Sequence, residues 1–134
     1  MVRRSSRISI ERSRSNDFIK VAENFYRGAE VAFEYEYYNA AGVLIIHSAI
    51  AYADVITIKH GGVKSRGDNH YEVILLIEEI MESTDKRNKA MNNFRKIIDV
   101  KNEISYSGDV YMRKDIDKLW KLFERFKNWV DDLV

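Results

Sequence analysis

Apolar residues recur at three- and four-residue steps along most of this chain, but one stretch is apolar or small on nearly every side. It covers residues 38–60, YNAAGVLIIHSAIAYADVITIKH. A surface helix shows a one-sided stripe, so an all-round apolar helix belongs in the middle of a bundle or in a membrane. His47, Ser48, Tyr52, Asp54 and Thr57 interrupt the run. A spanning segment of about 20 residues rarely carries an Asp and a His together. The stretch therefore predicts a buried central helix, with no membrane involved. Gly42, Ala49 and Ala53 fall close to one face at helical spacing, where small side chains admit a neighbouring helix.

The flanking segments are amphipathic. Ser15 or Asn16 can cap a helix that starts at Asp17 and ends near residues 37–39, with Phe18, Val21, Ala22, Phe25, Ala29, Ala32 and Phe33 on one side. The aromatic cluster Phe33, Tyr35, Tyr37 and Tyr38 reads as core rather than as a stacking surface for bases. Gly61-Gly62 stops the central helix, and residues 61–69 form a loop. Asp68 or Asn69 caps a short helix over residues 70–82, with Glu72 completing a capping box after Asn69. Ser83-Thr84 breaks the chain before a helix over residues 85–106, and a last helix over 113–133 carries Trp120, Phe123, Phe126 and Val130 in a wide stripe. Nothing alternates at period two for long enough to be a strand. These elements predict an all-α fold, an antiparallel up-and-down bundle of four to five helices.

Composition refines this picture in three ways. The 134 residues suit one domain. With no cysteine and no apolar signal core, a cytoplasmic location is the default expectation. The net charge of +1 hides an asymmetry, because residues 1–15 hold five Arg and one Glu. That segment reads as a basic, Arg/Ser-rich flexible tail, dispensable for folding, with residues 16–134 as the bundle. An arm laid on RNA phosphates is its alternative reading, and a short transit peptide is compatible with its composition. The body is not a generally basic nucleic-acid binder, and DNA is not an expected partner.

Candidate chemistry is sparse. No glycine-rich phosphate loop, metal-ligand spacing or nucleophile elbow occurs, so neither a metal nor a cofactor is implied. His47 and Asp54 share a face of the central helix but lie about 10 Å apart along its axis, too far to pair directly. Burying Asp54 demands a cation, with Lys101 or Arg95 as candidates, and a structural role outweighs a catalytic dyad. His60 and His70 flank the loop as helix-end residues. The most informative cluster is Lys101-Asn102-Glu103-Ile104-Ser105-Tyr106, where a cation lies beside an apolar stripe and Asn102 and Tyr106 share a helix face. Such a group can hold a phosphate or an RNA backbone; it is equally compatible with a packed helix end.

Three segments together resemble HEPN domains (higher eukaryotes and prokaryotes nucleotide-binding): residues 40–62 ending HSAIAYADVITIKHGG, GDNHYEVILLI at 67–77, and KNEISYSG at 101–108. The resemblance spans about residues 16–130. It implies a dimeric antiparallel helical bundle. It also implies a frequent partnership with a minimal nucleotidyltransferase in toxin–antitoxin or other defence settings. Active members are metal-independent RNases with an Arg followed four to six residues later by a His. Here Lys101 stands in the Arg place, Asn102 keeps the adjacent polar residue, and Tyr106 stands in the His place. A phenol titrates near 10 and is a poor base at neutral pH, and an ammonium lacks the planar fork of a guanidinium.

The sequence is therefore read as a non-catalytic HEPN-like homodimer that binds a nucleotide, RNA or a partner protein such as a nucleotidyltransferase. Lys101, Asn102, Tyr106, Asp54 and His47 are the candidate ligand-binding residues. An endoribonuclease using Lys101, Asn102 and Tyr106 in altered roles is the alternative, and a purely structural interaction module is the third reading. Trp120 and Trp129, with other aromatics of the first and last helices, are the expected dimer contacts.

Overall fold

The computed structural model describes residues 6–67 and 69–134. Its elements run β1 (Arg7–Ser9), a 3-10 turn (Arg12–Arg14), α1 (Ser15–Glu34), α2 (Tyr38–Gly61), β2 (Val63–Ser65), α3 (Tyr71–Ile80), α4 (Asp85–Tyr106) and α5 (Arg113–Asp131). The fold is an all-α bundle of five helices, accompanied by one two-stranded antiparallel ribbon.

The all-round apolar helix stands at the centre, as its pattern predicts: α2 packs against α1, α3, α4 and α5. Among the described residues it is the one helix long and apolar enough to cross a membrane, yet most of it is buried inside the bundle. Its small residues permit that crowding. A Cβ added to Gly42 would lie 2.1 Å from Ile104 Cδ1 and 3.1 Å from Ile116 Cδ1, so α4 and α5 close onto the start of α2 through this gap. Ala49 and Ala53 are fully buried. The face of α1 against α2 is equally lean: Ala22, Ala29 and Ala32 are buried, and Ser48 Oγ donates to the Ala22 carbonyl at 2.8 Å. From α4 and α5, Phe94 and Phe126 pack at a tilt with centroids 5.0 Å apart, and Phe123 is fully buried too. Each such side chain contributes about 1.5–3 kcal/mol when buried.

Helix ends follow their expected punctuation with some changes. Gly62 adopts φ 64° and closes α2, as the glycine pair predicts. Thr84 Oγ1 accepts the Arg87 N–H at 3.1 Å and starts α4. The Arg87 guanidinium then donates to the carbonyls of Glu78 and Met81, occupying the open end of α3. The first helix begins at Ser15 itself, after the 3-10 turn, and ends at Glu34, earlier than expected. Glu36 takes φ 64° in the tight turn into α2.

Two expectations need correction. The segment before residue 16 is not a free tail from residue 6 onward: Arg7, Ile8 and Ser9 pair with Ser65, Lys64 and Val63, and Ile10 N–H donates to Gly62 O at 2.9 Å. Arg7 also pairs with Glu79 of α3. A three-residue strand is too short to show an alternating pattern, and its partner is more than fifty residues away in sequence, so nothing local announces it. Second, the aromatic cluster divides. Phe33 and Tyr38 pack edge-to-face against the core, whereas Tyr35 and Tyr37 are each 66% exposed and stack on one another. Of the two tryptophans, Trp120 is partly buried and packs edge-on to Tyr26 and Phe33, and Trp129 is buried beside Phe126.

Candidate functional site

The start of α3 and the last part of α4 form a polar pocket of about 360 Å³ lined by Asn69, His70, Tyr71, Ile98, Asp99, Lys101 and Asn102. Local chemistry sets it up. Asn69 Oδ1 accepts the Tyr71 N–H at 3.0 Å, fixing the turn from which α3 departs. Tyr71 Oη donates to Asp99 Oδ1 at 2.5 Å and ties that turn to α4. This bond raises the Tyr71 pKa, with desolvation adding to it. Lys101 and Asn102 follow one turn further along α4.

The six-residue cluster read from the sequence thus divides. Lys101 and Asn102 are brought together in the pocket, joined by Asn69 and His70 from the turn that precedes α3. Ile104 turns inward against Gly42. Tyr106, the final residue of α4, is 80% exposed and takes no part in the pocket. The reason is positional: α3 meets α4 along residues 98–102, and Tyr106 lies a turn beyond that contact. His70 is the residue whose place beside Lys101 sequence spacing could not supply. Its only local signal is the preceding Asn69, which marks a helix start.

His47 and Asp54 lie elsewhere, on a second pocket between α1 and α2. His47 is half-buried against the Phe25 ring, with centroids 5.5 Å apart. Burial lowers its pKa, and the charge of Lys101 lowers it further, which keeps the imidazole neutral at pH 7. Asp54 is 7% exposed, and burial pushes its carboxyl up to about 6 against the opposing pull of Lys64. Its cation is Lys64 of β2, with Nζ 3.8 Å from Oδ2, and not Lys101 or Arg95. Arg95 instead donates to Asn92 at 3.2 Å on its own helix. Sequence spacing could not find Lys64, because the ribbon with β1 is what carries it over α2. His60 has a separate partner, the Leu133 carbonyl at 3.1 Å.

A wider cleft of about 610 Å³ opens between α4 and α5. Asp99, Glu103, Asp109 and Asp115 outnumber Lys96 and Lys118 along it, a balance that repels a polyanion. Tyr111 in this cleft has its pKa raised by burial and by a hydrogen bond with Glu103. Among the described residues, no group of three or more His, Asp or Glu side chains is placed to hold a metal ion.

Compared with protein-family models, with curated proteins and with solved structures, the chain finds no match in any of the three.

Proposed function

We propose that the protein is a HEPN-like bundle that binds a phosphate-bearing ligand, a nucleotide or a short RNA, without cleaving it. The observation that carries this reading is the convergence of Lys101 and Asn102 with Asn69 and His70 on one pocket. Lys101 supplies a point charge for a phosphate, and the two amides supply donors that orient it. Tyr71 holds Asp99 by a hydrogen bond, which leaves less of that carboxylate to oppose an anion. Tyr106 stands outside the pocket and adds nothing to a reaction there. The resemblance extends the proposal to a homodimer and to a nucleotidyltransferase partner.

The test is calorimetric titration with ATP and with a short single-stranded RNA, repeated on Lys101→Ala and Asn102→Ala. Saturable binding by the natural chain that weakens in both variants is the expected result. No binding of either probe overturns the proposal.

One observation favours a second reading, an endoribonuclease. His70 brings an imidazole, the side chain most often used in acid–base catalysis, to the same pocket as Lys101. RNA cleavage in the presence of chelator, abolished by His70→Ala, would establish that reading in place of simple binding.

A further inference from the structure

The pocket between α1 and α2 is a separate feature, about 310 Å³ in volume. Phe18, Val21 and Phe25 of α1 and Ile50 and Ala51 of α2 give it apolar walls. Small-molecule sites of this size are mostly apolar, with a few placed polar groups that fix orientation. Here those groups can be sorted by charge. Arg14 and Asp17 sit at the edge and satisfy each other, Nε to Oδ2 at 2.9 Å. His47 is neutral, as argued above. The charge left over is the carboxylate of Asp54.

That carboxylate is in an unusual position. Asp54 is 7% exposed; its carbonyl accepts from Thr57 Oγ1, but among the described residues no donor makes a hydrogen bond to its carboxylate oxygens. The Lys64 ammonium at 3.8 Å gives an ion pair without a hydrogen bond, and Lys64 is not part of the pocket wall. A mostly buried carboxylate that is reached only from the pocket is poorly solvated, and N–H groups arriving from that side relieve the cost. We propose that this pocket binds a small organic cation, one planar ring carrying an amine or amidine, with the ring against Phe18, Phe25 and Ile50 and its N–H donors on Asp54. Charge complementarity selects this class, since the lining residues sum to a single negative charge. The site shares no lining residue with the Lys101 pocket and stands whether or not a nucleotide binds there.

Benzamidine is a suitable probe, with benzamide as its neutral counterpart of the same shape. Titration is followed through the methyl signals of Val21 and Ile50 in the full chain. Benzamidine shifts both signals saturably, and benzamide does so much more weakly. Asp54→Asn keeps the side-chain shape and weakens benzamidine by at least about tenfold, the usual loss for a charged hydrogen bond, while benzamide is unaffected. Val21→Trp, on an exposed wall where folding is not at stake, blocks both probes. Equal binding of the two probes, or benzamidine binding that survives Asp54→Asn in a variant with an unchanged helical spectrum, overturns the proposal. Absence of any methyl shift with benzamidine overturns it as well.

Discussion

The two pockets hold one decisive charge each and treat it in opposite ways. Lys101 sits half-buried among amides, a histidine and a carboxylate, at a place where water and neighbours solvate it. Asp54 sits on the core helix in a pocket walled by two phenylalanines, with one cation at ion-pair distance and, among the described residues, no hydrogen bond to its carboxylate. The same formal unit of charge is thus nearly neutral for stability in one pocket and expensive in the other. Polar pockets can be kept open cheaply, whereas an apolar pocket with a buried charge is maintained against the fold's own interest.

The largest test of that contrast is Asp54→Asn. A carboxyl raised from 3.8 to about 6 corresponds to a cost of up to about 3 kcal/mol at pH 7. Between those two values the native state holds more protons than the unfolded chain, so stability falls as pH rises from about 4 to 6. His47 acts the other way: its lowered pKa makes stability fall as pH drops below 6.5. The difference between natural protein and Asp54→Asn isolates the carboxylate. Urea unfolding should show the variant more stable at pH 7.5, with the gap closing towards pH 4. A variant less stable at pH 7.5 would mean that the Lys64 pair outweighs burial, and the contrast between pockets would collapse.

Deleting residues 1–10 should come next in size. The deletion removes the β1 strand, the Ile10 hydrogen bond to Gly62 and the Arg7–Glu79 pair, and frees β2 together with Lys64. Backbone hydrogen bonds contribute about 1 kcal/mol each net, offset by the entropy of ordering the arm, so a loss of about 1–2 kcal/mol is expected. Amide shifts should change around Asp54 and stay fixed around Lys101. Unaltered melting and shifts confined to the new terminus would return the arm to the status of a dispensable tail.

How much of this was legible follows from how far each signal reaches along the chain. The centrality of α2 was legible because burial on all sides leaves no polar stripe, a property of the segment alone. Helix ends at Gly62 and Thr84 were legible for the same reason. The partner of Asp54 was not, since Lys64 reaches it only through a ribbon closed by Arg7–Ser9. The placing of His70 beside Lys101 was equally hidden, because it depends on where α3 crosses α4. Aromatics misled: Tyr35 and Tyr37 are exposed although their spacing suggests core. Periodicity assigns a face to a side chain but cannot say whether another helix covers that face.

A smaller effect belongs to Lys101. Its removal should leave stability within about 0.5 kcal/mol, as for other partly solvated surface positions, because among the described residues no ion pair or hydrogen bond depends on it. The cost appears in binding. Loss of one charge-assisted phosphate contact weakens ATP or RNA by about tenfold, with Lys101→Arg retaining most of the affinity. His47 reports the same change internally: without the Lys101 charge its pKa should move back up, measurable by imidazole proton shifts. A fall in stability comparable to that of an overpacked core, with binding untouched, would show that Lys101 is a packing residue.

The smallest effect expected is that of Tyr106→Phe, which should change neither binding nor stability. The hydroxyl stands on a side chain 80% exposed at the last turn of α4, and among the described residues nothing hydrogen-bonds to it. The pocket at Asn69–Tyr71 lies a turn away, against residues 98–102. A phenol so placed cannot share a phosphate with Lys101 unless a second molecule brings the ligand to it. That exception makes the substitution informative. In a dimer, one subunit's α4 end can approach the other's pocket, and loss of binding in Tyr106→Phe would then track protein concentration. Titrating ATP or RNA at two concentrations of the variant, with the mass followed by light scattering, separates the cases. An unchanged dissociation constant at both concentrations confines the site to Asn69, His70, Lys101 and Asn102. A concentration-dependent loss would place Tyr106 in a site built from two chains and overturn a site confined to one chain.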